Sequence, residues 1–77
     1  MFDFSEILIA LKQNKKVMRS GWNGKNMYVK CVTLTNYYEK DIVVDNPCLL
    51  LKTPNDKFNT WIPSITDLFA TDWQVIE

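Results

Sequence analysis

The sequence predicts an α+β fold: a small antiparallel sheet, an N-terminal helix packed on it and one short C-terminal helical turn. Three observations predict it. The chain opens with an apolar stripe at helical spacing. Short runs of apolar and β-branched residues then follow, separated by Gly, Pro and Asn turn signals. The chain has 77 residues, which is one domain, 1–77.

Asp3 to Gln13 reads as the helix. Asp3 as N-cap with Glu6 three residues later has the form of a capping box, and Phe2 and Ile7 occupy the positions of a hydrophobic staple. Phe4, Ile7, Leu8 and Leu11 make the stripe. Ile9 lies off it. Asn14-Lys15-Lys16 ends the helix, and Val17-Met18-Arg19 forms a short strand leading into a glycine turn. Met27 to Leu34 is the clearest strand, with Met27, Val29 and Cys31 alternating with Tyr28, Lys30 and Val32.

Thr35 to Cys48 has no steady period. It reads as a long loop around a short strand at Ile42-Val43-Val44, with Asp45-Asn46-Pro47 as a turn. Leu49 to Lys52 and Phe58 to Ile62 read as strands joined by the turn Thr53-Pro54-Asn55-Asp56-Lys57. Pro63 stops the second. Ser64 with Asp67 caps one or two helical turns over Ile65 to Ala70. Asp72 to Glu77 closes the chain as a strand, with Trp73 as a core anchor.

Composition excludes several classes. Lys and Arg total 9 and Asp and Glu total 9, so a polynucleotide partner, which asks for a basic excess, is disfavoured. No apolar run approaches a membrane span. The two cysteines and absent His cannot build a zinc site, so neither metal nor cofactor is expected. Met1-Phe2-Asp3-Phe4 lacks the basic region of a signal peptide, and buried reduced thiols are the default for Cys31 and Cys48. Without His, the usual general base near neutral pH is missing. A chain this short buries only about 60% of its unfolded surface. Its 47% hydrophobic and 13% aromatic content therefore points to self-association.

Two segments gather binding chemistry. In Arg19-Ser20-Gly21-Trp22-Asn23-Gly24-Lys25, the glycines allow close approach to main-chain N–H groups. Trp22 offers a stacking face, Asn23 both donates and accepts, and Arg19 and Lys25 bring positive charge. From these residues alone the plainer reading leads: a hairpin turn with a half-buried Trp. In Trp61-Ile62-Pro63-Ser64-Ile65-Thr66-Asp67, an aromatic and three hydrogen-bonding side chains surround a helix N-terminus whose N–H groups suit an anion. The plainer reading there is a strand-to-helix turn that Ser64 and Asp67 satisfy. For Tyr37 and Tyr38, loop packing and ligand contact stay open.

The blocks Phe4-x-x-Ile7-Leu8-x-Ala10-Leu11-Lys12, Lys15-Lys16-Val17-x-Arg19, Gly21-Trp22-Asn23-Gly24-Lys25-x-Met27-Tyr28 and Trp61-x-Pro63-Ser64-x-Thr66-Asp67-Leu68-x-Ala70-x-Asp72-Trp73 come in this order. Together they resemble the second Thoeris anti-defence family of phages and prophages, over nearly the whole chain except Thr35 to Cys48. The resemblance implies a non-enzymatic sponge in the cytoplasm of the infected bacterial host. Such a protein is a homo-oligomer, described as a tetramer. It binds 1′′–3′ glycocyclic ADP-ribose, a cyclic ADP-ribose isomer made by TIR-domain proteins, and so blocks Thoeris immunity. Some relatives also bind cyclic oligonucleotides.

Carried onto this chain, the implied ligand-binding set is Arg19, Gly21, Trp22, Asn23, Gly24, Lys25, Tyr28, Trp61, Ser64, Thr66 and Asp67. Trp22 walls the adenine or ribose. Asn23 and the Gly21 and Gly24 backbone read polar edges. Arg19 and Lys25 offset the diphosphate. Ser64, Thr66 and Asp67 reach ribose hydroxyls or phosphate from a second chain, at a subunit interface. Two other readings stay open: an enzyme degrading the nucleotide with Asp67 or Glu39 as base, and an inhibitor that binds a host protein directly.

Overall fold

The computed structural model describes residues 1–22, 26–39 and 42–76; of residues 33–39 and 42–46 it describes the backbone alone. Helix α1 spans Phe4–Lys12. The Asp3 carboxylate accepts the Glu6 N–H at 2.9 Å while Glu6 Oε1 accepts the Asp3 N–H at 3.0 Å, the reciprocal capping box. At the other end Asn14 takes the left-handed conformation, φ 63°, which Asn tolerates well. Lys15 N–H then reaches back to Ala10 O and Asn14 N–H to Leu11 O, each at 3.0 Å, a Schellman closure. The buried stripe is Ile7, Ala10 and Leu11. Leu8, placed on the stripe from spacing, is 37% exposed, while Ala10 takes its place among the buried residues.

The strands are β1 (Val17–Arg19), β2 (Tyr28–Glu39), β3 (Ile42–Lys52), β4 (Phe58–Thr60) and β5 (Trp73–Val75). They form one antiparallel sheet in the order β4-β3-β2-β1-β5. A second helix, α2 (Ile65–Phe69), precedes β5. The α+β class is as the sequence predicts.

Thr35 to Cys48 is not a loop. Its residues continue β2 and β3, paired from Val32↔Cys48 through Tyr37↔Val43 to Glu39↔Ile42, with a register shift between Tyr37 and Glu39. The missing period in Thr35 to Cys48 did not exclude a strand, because the cross-strand pairing that forms it is not a local pattern. Pro47, read as part of a turn, sits in β3 opposite Thr33, a position strands allow at an edge. Lys40 and Asp41 lie outside the described residues. Strand β4 is shorter than predicted. Trp61 still donates its N–H to Leu49 O at 2.8 Å, but Ile62 leaves the sheet and is 88% exposed.

The core is Ile7, Ala10, Leu11, Val17, Val29 and Trp73. Val17 pairs with both Val29 and Val75, so these side chains share the face that α1 covers. Large apolar side chains buried this way contribute about 1.5–3 kcal/mol each. Cys31 pairs with Leu49 and packs on this core, whereas Cys48 pairs with Val32 one step along. Adjacent positions point to opposite faces, and both thiols are free.

Candidate functional site

The site is built on Arg19, the last residue of β1. In register with Trp73, it faces the helix side of the sheet. Its Nε donates to Asp72 Oδ1 at 2.8 Å and its Nη1 to Asp67 Oδ1 at 3.0 Å. One guanidinium thus ties β1 to α2 and to the turn before β5. The planar fork suits this double engagement; an ammonium would not reproduce it.

Asp72 holds the glycine turn with its other oxygen. Oδ2 accepts the Gly21 N–H at 3.0 Å and the Ser20 hydroxyl at 3.4 Å, while the Ser20 N–H donates to Asp72 O at 3.0 Å. Trp22 N–H closes the turn on Arg19 O at 3.2 Å. Gly21 has no positive φ. Its use is the close approach: a Cβ there would lie 3.1 Å from Asp72 Oδ2. Asp67 is fixed as firmly. Its Oδ2 accepts the Ser64 N–H at 3.0 Å and hydroxyl at 2.9 Å, and its own N–H donates to Ser64 Oγ at 3.1 Å.

These bonds set the electrostatics. Burial pushes the Asp67 carboxyl up, but the Ser64 hydrogen bonds and Arg19 outweigh it and hold the group below the usual aspartate value. Arg19 lowers Asp72 most, with the Gly21 N–H assisting. Arg19 is raised in turn, chiefly by Asp72. The trio carries one positive and two negative charges, so Arg19 arrives at any anion already matched.

Above this base three indoles pack edge to face. Trp22 lies 5.4 Å from Trp73 and 6.4 Å from Trp61 between centroids, and Trp61 lies 6.1 Å from Trp73. Trp73 is fully buried and donates Nε1–H to Asp67 O at 2.9 Å; Trp22 and Trp61 are half-buried. Such contacts are worth about 0.5–1.5 kcal/mol beyond area burial.

Of the expected site residues, the fold brings Arg19, Gly21, Trp22, Trp61, Ser64 and Asp67 together. Thr66 is exposed on α2 beside them. Asn23, Gly24 and Lys25 lie outside the described residues. Tyr28 is elsewhere. It alternates with buried Val29 and pairs with Lys52, so it faces away from α1. Its ring meets Phe58 edge-on at 6.2 Å, with Lys16 Nζ 4.9 Å and Lys52 Nζ 5.7 Å from its centroid, beside a groove of about 300 Å³. The helix-terminus N–H groups expected to meet an anion are partly committed, since those of Ser64 and Asp67 serve the capping box, and the Gly21 N–H serves Asp72. The residue that sequence reasoning missed is Asp72. Its signal was present, next to Trp73 in the last matched block, but its partner Gly21 is supplied only by the β1–β5 register.

Compared with known proteins, the domain family described as Thoeris anti-defense 2-like matches residues 2–76. The chain is also 36% identical, over 83 aligned positions, to the Thoeris anti-defense 2 protein of Bacillus phage SP01, with 95% of this chain and 92% of that protein covered.

Proposed function

The chain belongs to the Thoeris anti-defense 2-like family, and from that premise we propose that it works by sequestration: it binds a cyclic ADP-ribose isomer, 1′′–3′ glycocyclic ADP-ribose, and withholds it from the Thoeris effector without degrading it. The phage anti-defence role goes with the family; the ligand and the sponge mechanism are our reading.

One observation carries the reading. Trp22 and Trp61, from blocks far apart in sequence, stand 6.4 Å apart on a frame locked by Arg19, Asp67 and Asp72. Aromatic walls on a rigid base suit a molecule with a purine ring, because stacking area is bought without loss of side-chain freedom. Trp22, Trp61, Thr66 and Ser64 line the ligand, Asn23 and Gly24 read its polar edges, and Lys25 offsets the diphosphate. Gly21, Arg19 and Asp67 hold the frame. Tyr28 contacts ligand only if a second copy brings its face alongside.

The pocket lies between copies of a homo-oligomer, a tetramer by family resemblance. Grooves of about 270, 300 and 380 Å³ mark the surface, and their linings do not include Trp22 or Trp61. A dinucleotide-sized ligand asks for a cleft at least that large around the indoles themselves. At about −0.3 kcal/mol per heavy atom, a ligand of roughly 35 heavy atoms reaches about −10 kcal/mol, a Kd on the order of tens of nM.

Release of intact ligand distinguishes a sponge from an enzyme. Asp67 and Asp72 each accept several hydrogen bonds and are held ionised below the usual range, which makes them weak general bases near pH 7. The signal is incubated with protein, the mixture heated, and the supernatant assayed. Full recovery of the cyclic molecule supports sequestration; a linear or cleaved product means catalysis.

A further inference from the structure

The site of the proposed function, on which this inference rests, offers an anion no net charge. The charged side chains that frame the indoles among the described residues are Arg19, Asp67 and Asp72. One positive and two negative charges leave this base at −1. Lys25, the other cation of the glycine-turn segment, brings the set to zero. Each copy brings the same set, so walls built from two copies also sum to zero.

These charges sit close to the aromatic walls. The side chains of Arg19, Asp67 and Asp72 are 19%, 14% and 26% exposed, and partly buried charges are screened less than exposed ones. Asp72 accepts the Gly21 N–H at 3.0 Å, next in the chain to Trp22. Asp67 O accepts Trp73 Nε1–H at 2.9 Å, and the Trp73 ring lies 5.4 Å from that of Trp22. The guanidinium is engaged by both carboxylates, so the cation is matched before a ligand arrives and one carboxylate charge is left over.

Phosphates differ in how they meet such a base. A phosphate inside a diphosphate bridge or a diester carries a single charge, whereas a terminal phosphate carries about −1.5 to −2 at pH 7. Desolvating the added charge is costly unless a counter-charge is at hand. We infer that the site selects by phosphate class: it admits nucleotides whose phosphates are all internal, in a bridge or a ring, and rejects those that bear a terminal phosphate. Stacking alone draws no such line, because every adenine nucleotide presents the same face to an indole. The leftover carboxylate charge acts as the repulsive element that specificity requires. The benefit to a sponge is direct. Cells hold adenine mono-, di- and triphosphates in quantity, and a site that read only the ring would fill with them.

The test is calorimetry of the full wild-type chain with 1′′–3′ glycocyclic ADP-ribose and with the same molecule bearing a 2′-phosphate on its adenosine ribose. At about 0.1 M salt the phosphorylated ligand should bind roughly tenfold more weakly. At about 1 M salt, where the Debye length falls from about 10 Å to about 3 Å, the difference should shrink to about threefold or less. Thr66→Lys, which adds a cation at an exposed position of α2 beside the site, should shrink it likewise at the lower salt. Equal affinity for the two ligands at the lower salt overturns the inference and leaves sequestration standing. A difference that salt leaves unchanged also overturns it, since shape rather than charge is then the cause. The wild-type ratio in a folded Thr66→Lys chain places the repulsion away from this site and overturns it too. Uptake of neither ligand overturns sequestration, and this inference with it.

Discussion

Arg19 Nε lies 2.8 Å from Asp72 Oδ1, and the second oxygen of that carboxylate accepts the Gly21 N–H at 3.0 Å. A single acidic side chain therefore fixes both the cation and the backbone turn that presents Trp22. Because Asp67 engages the same guanidinium at 3.0 Å, the turn, α2 and the start of β5 are tied to one side chain. The arrangement makes Arg19 a structural tie first, whatever it also contributes to an anion.

Removing the indole that joins these parts should be severe. Trp73→Ala empties a fully buried site, breaks the Nε1–H bond to Asp67 O and takes away the edge contacts of Trp22 and Trp61. The expected cost is about 3–5 kcal/mol, read from the urea midpoint. A small domain has about 5–15 kcal/mol in total, so this variant sits near unfolding. Ile7→Ala, at the centre of the α1 contact, should cost about 2–5 kcal/mol.

The short second helix depends on its cap. Ser64→Ala removes the oxygen that accepts the Asp67 N–H and the hydroxyl that donates to Asp67 Oδ2. A loss of about 1 kcal/mol is expected. Ser64→Asn, which keeps an accepting oxygen, should recover part of it. Thermal unfolding of the two variants side by side gives the comparison.

Acid should unfold the protein through the same carboxylates. Asp67, Asp72 and Asp3 all have folded pKa values lowered from the ordinary aspartate value. A lowered folded value means that their stabilisation is fully present above the unfolded pKa of about 3.9 and is lost as pH falls through the folded values. Stability should therefore decline below about pH 4. With no His in the chain, side-chain titration leaves the pH 5–8 range nearly flat. Urea midpoints taken from pH 7 to pH 2 measure this, and Asp72→Asn should flatten the acid slope.

Much of this architecture was legible in the sequence, and the gaps have physical causes. Helix α1 carries its own signals, a capping box and an apolar stripe, because a helix is a local structure. The stripe differs from its spacing at one flank, where Ala10 is buried and Leu8 is partly exposed. The outer hairpin is not legible because Thr35 to Cys48 has no steady period and Asp45-Asn46-Pro47 has the form of a turn, whereas cross-strand pairing places these residues in β3. At the site, the residue types were legible but not their partners. Trp22 meets Trp61, and Arg19 meets Asp67 and Asp72, through the β1–β5 pairing and the placement of α2. No local pattern encodes those. Tyr28 joins the expected set through the family resemblance, and strand alternation places it on the face of the sheet opposite buried Val29.

Trp22 separates ligand binding from folding. It is half-buried at the rim of the indole cluster, whereas Trp73 is its core. Trp22→Ala should keep the assembly mass and most of the stability. Loss of a stacked base costs about 1–3 kcal/mol, so calorimetry should show affinity for the cyclic ADP-ribose isomer falling roughly 5- to 150-fold. An inhibitor acting on a host protein would instead show no heat with the small molecule and retained activity in this variant.

The most direct test is a native-mass titration of the wild-type chain with 1′′–3′ glycocyclic ADP-ribose. The account predicts an oligomer that gains whole numbers of intact ligand masses at sub-micromolar concentration. An assembly that takes up no ligand across the titration would contradict it.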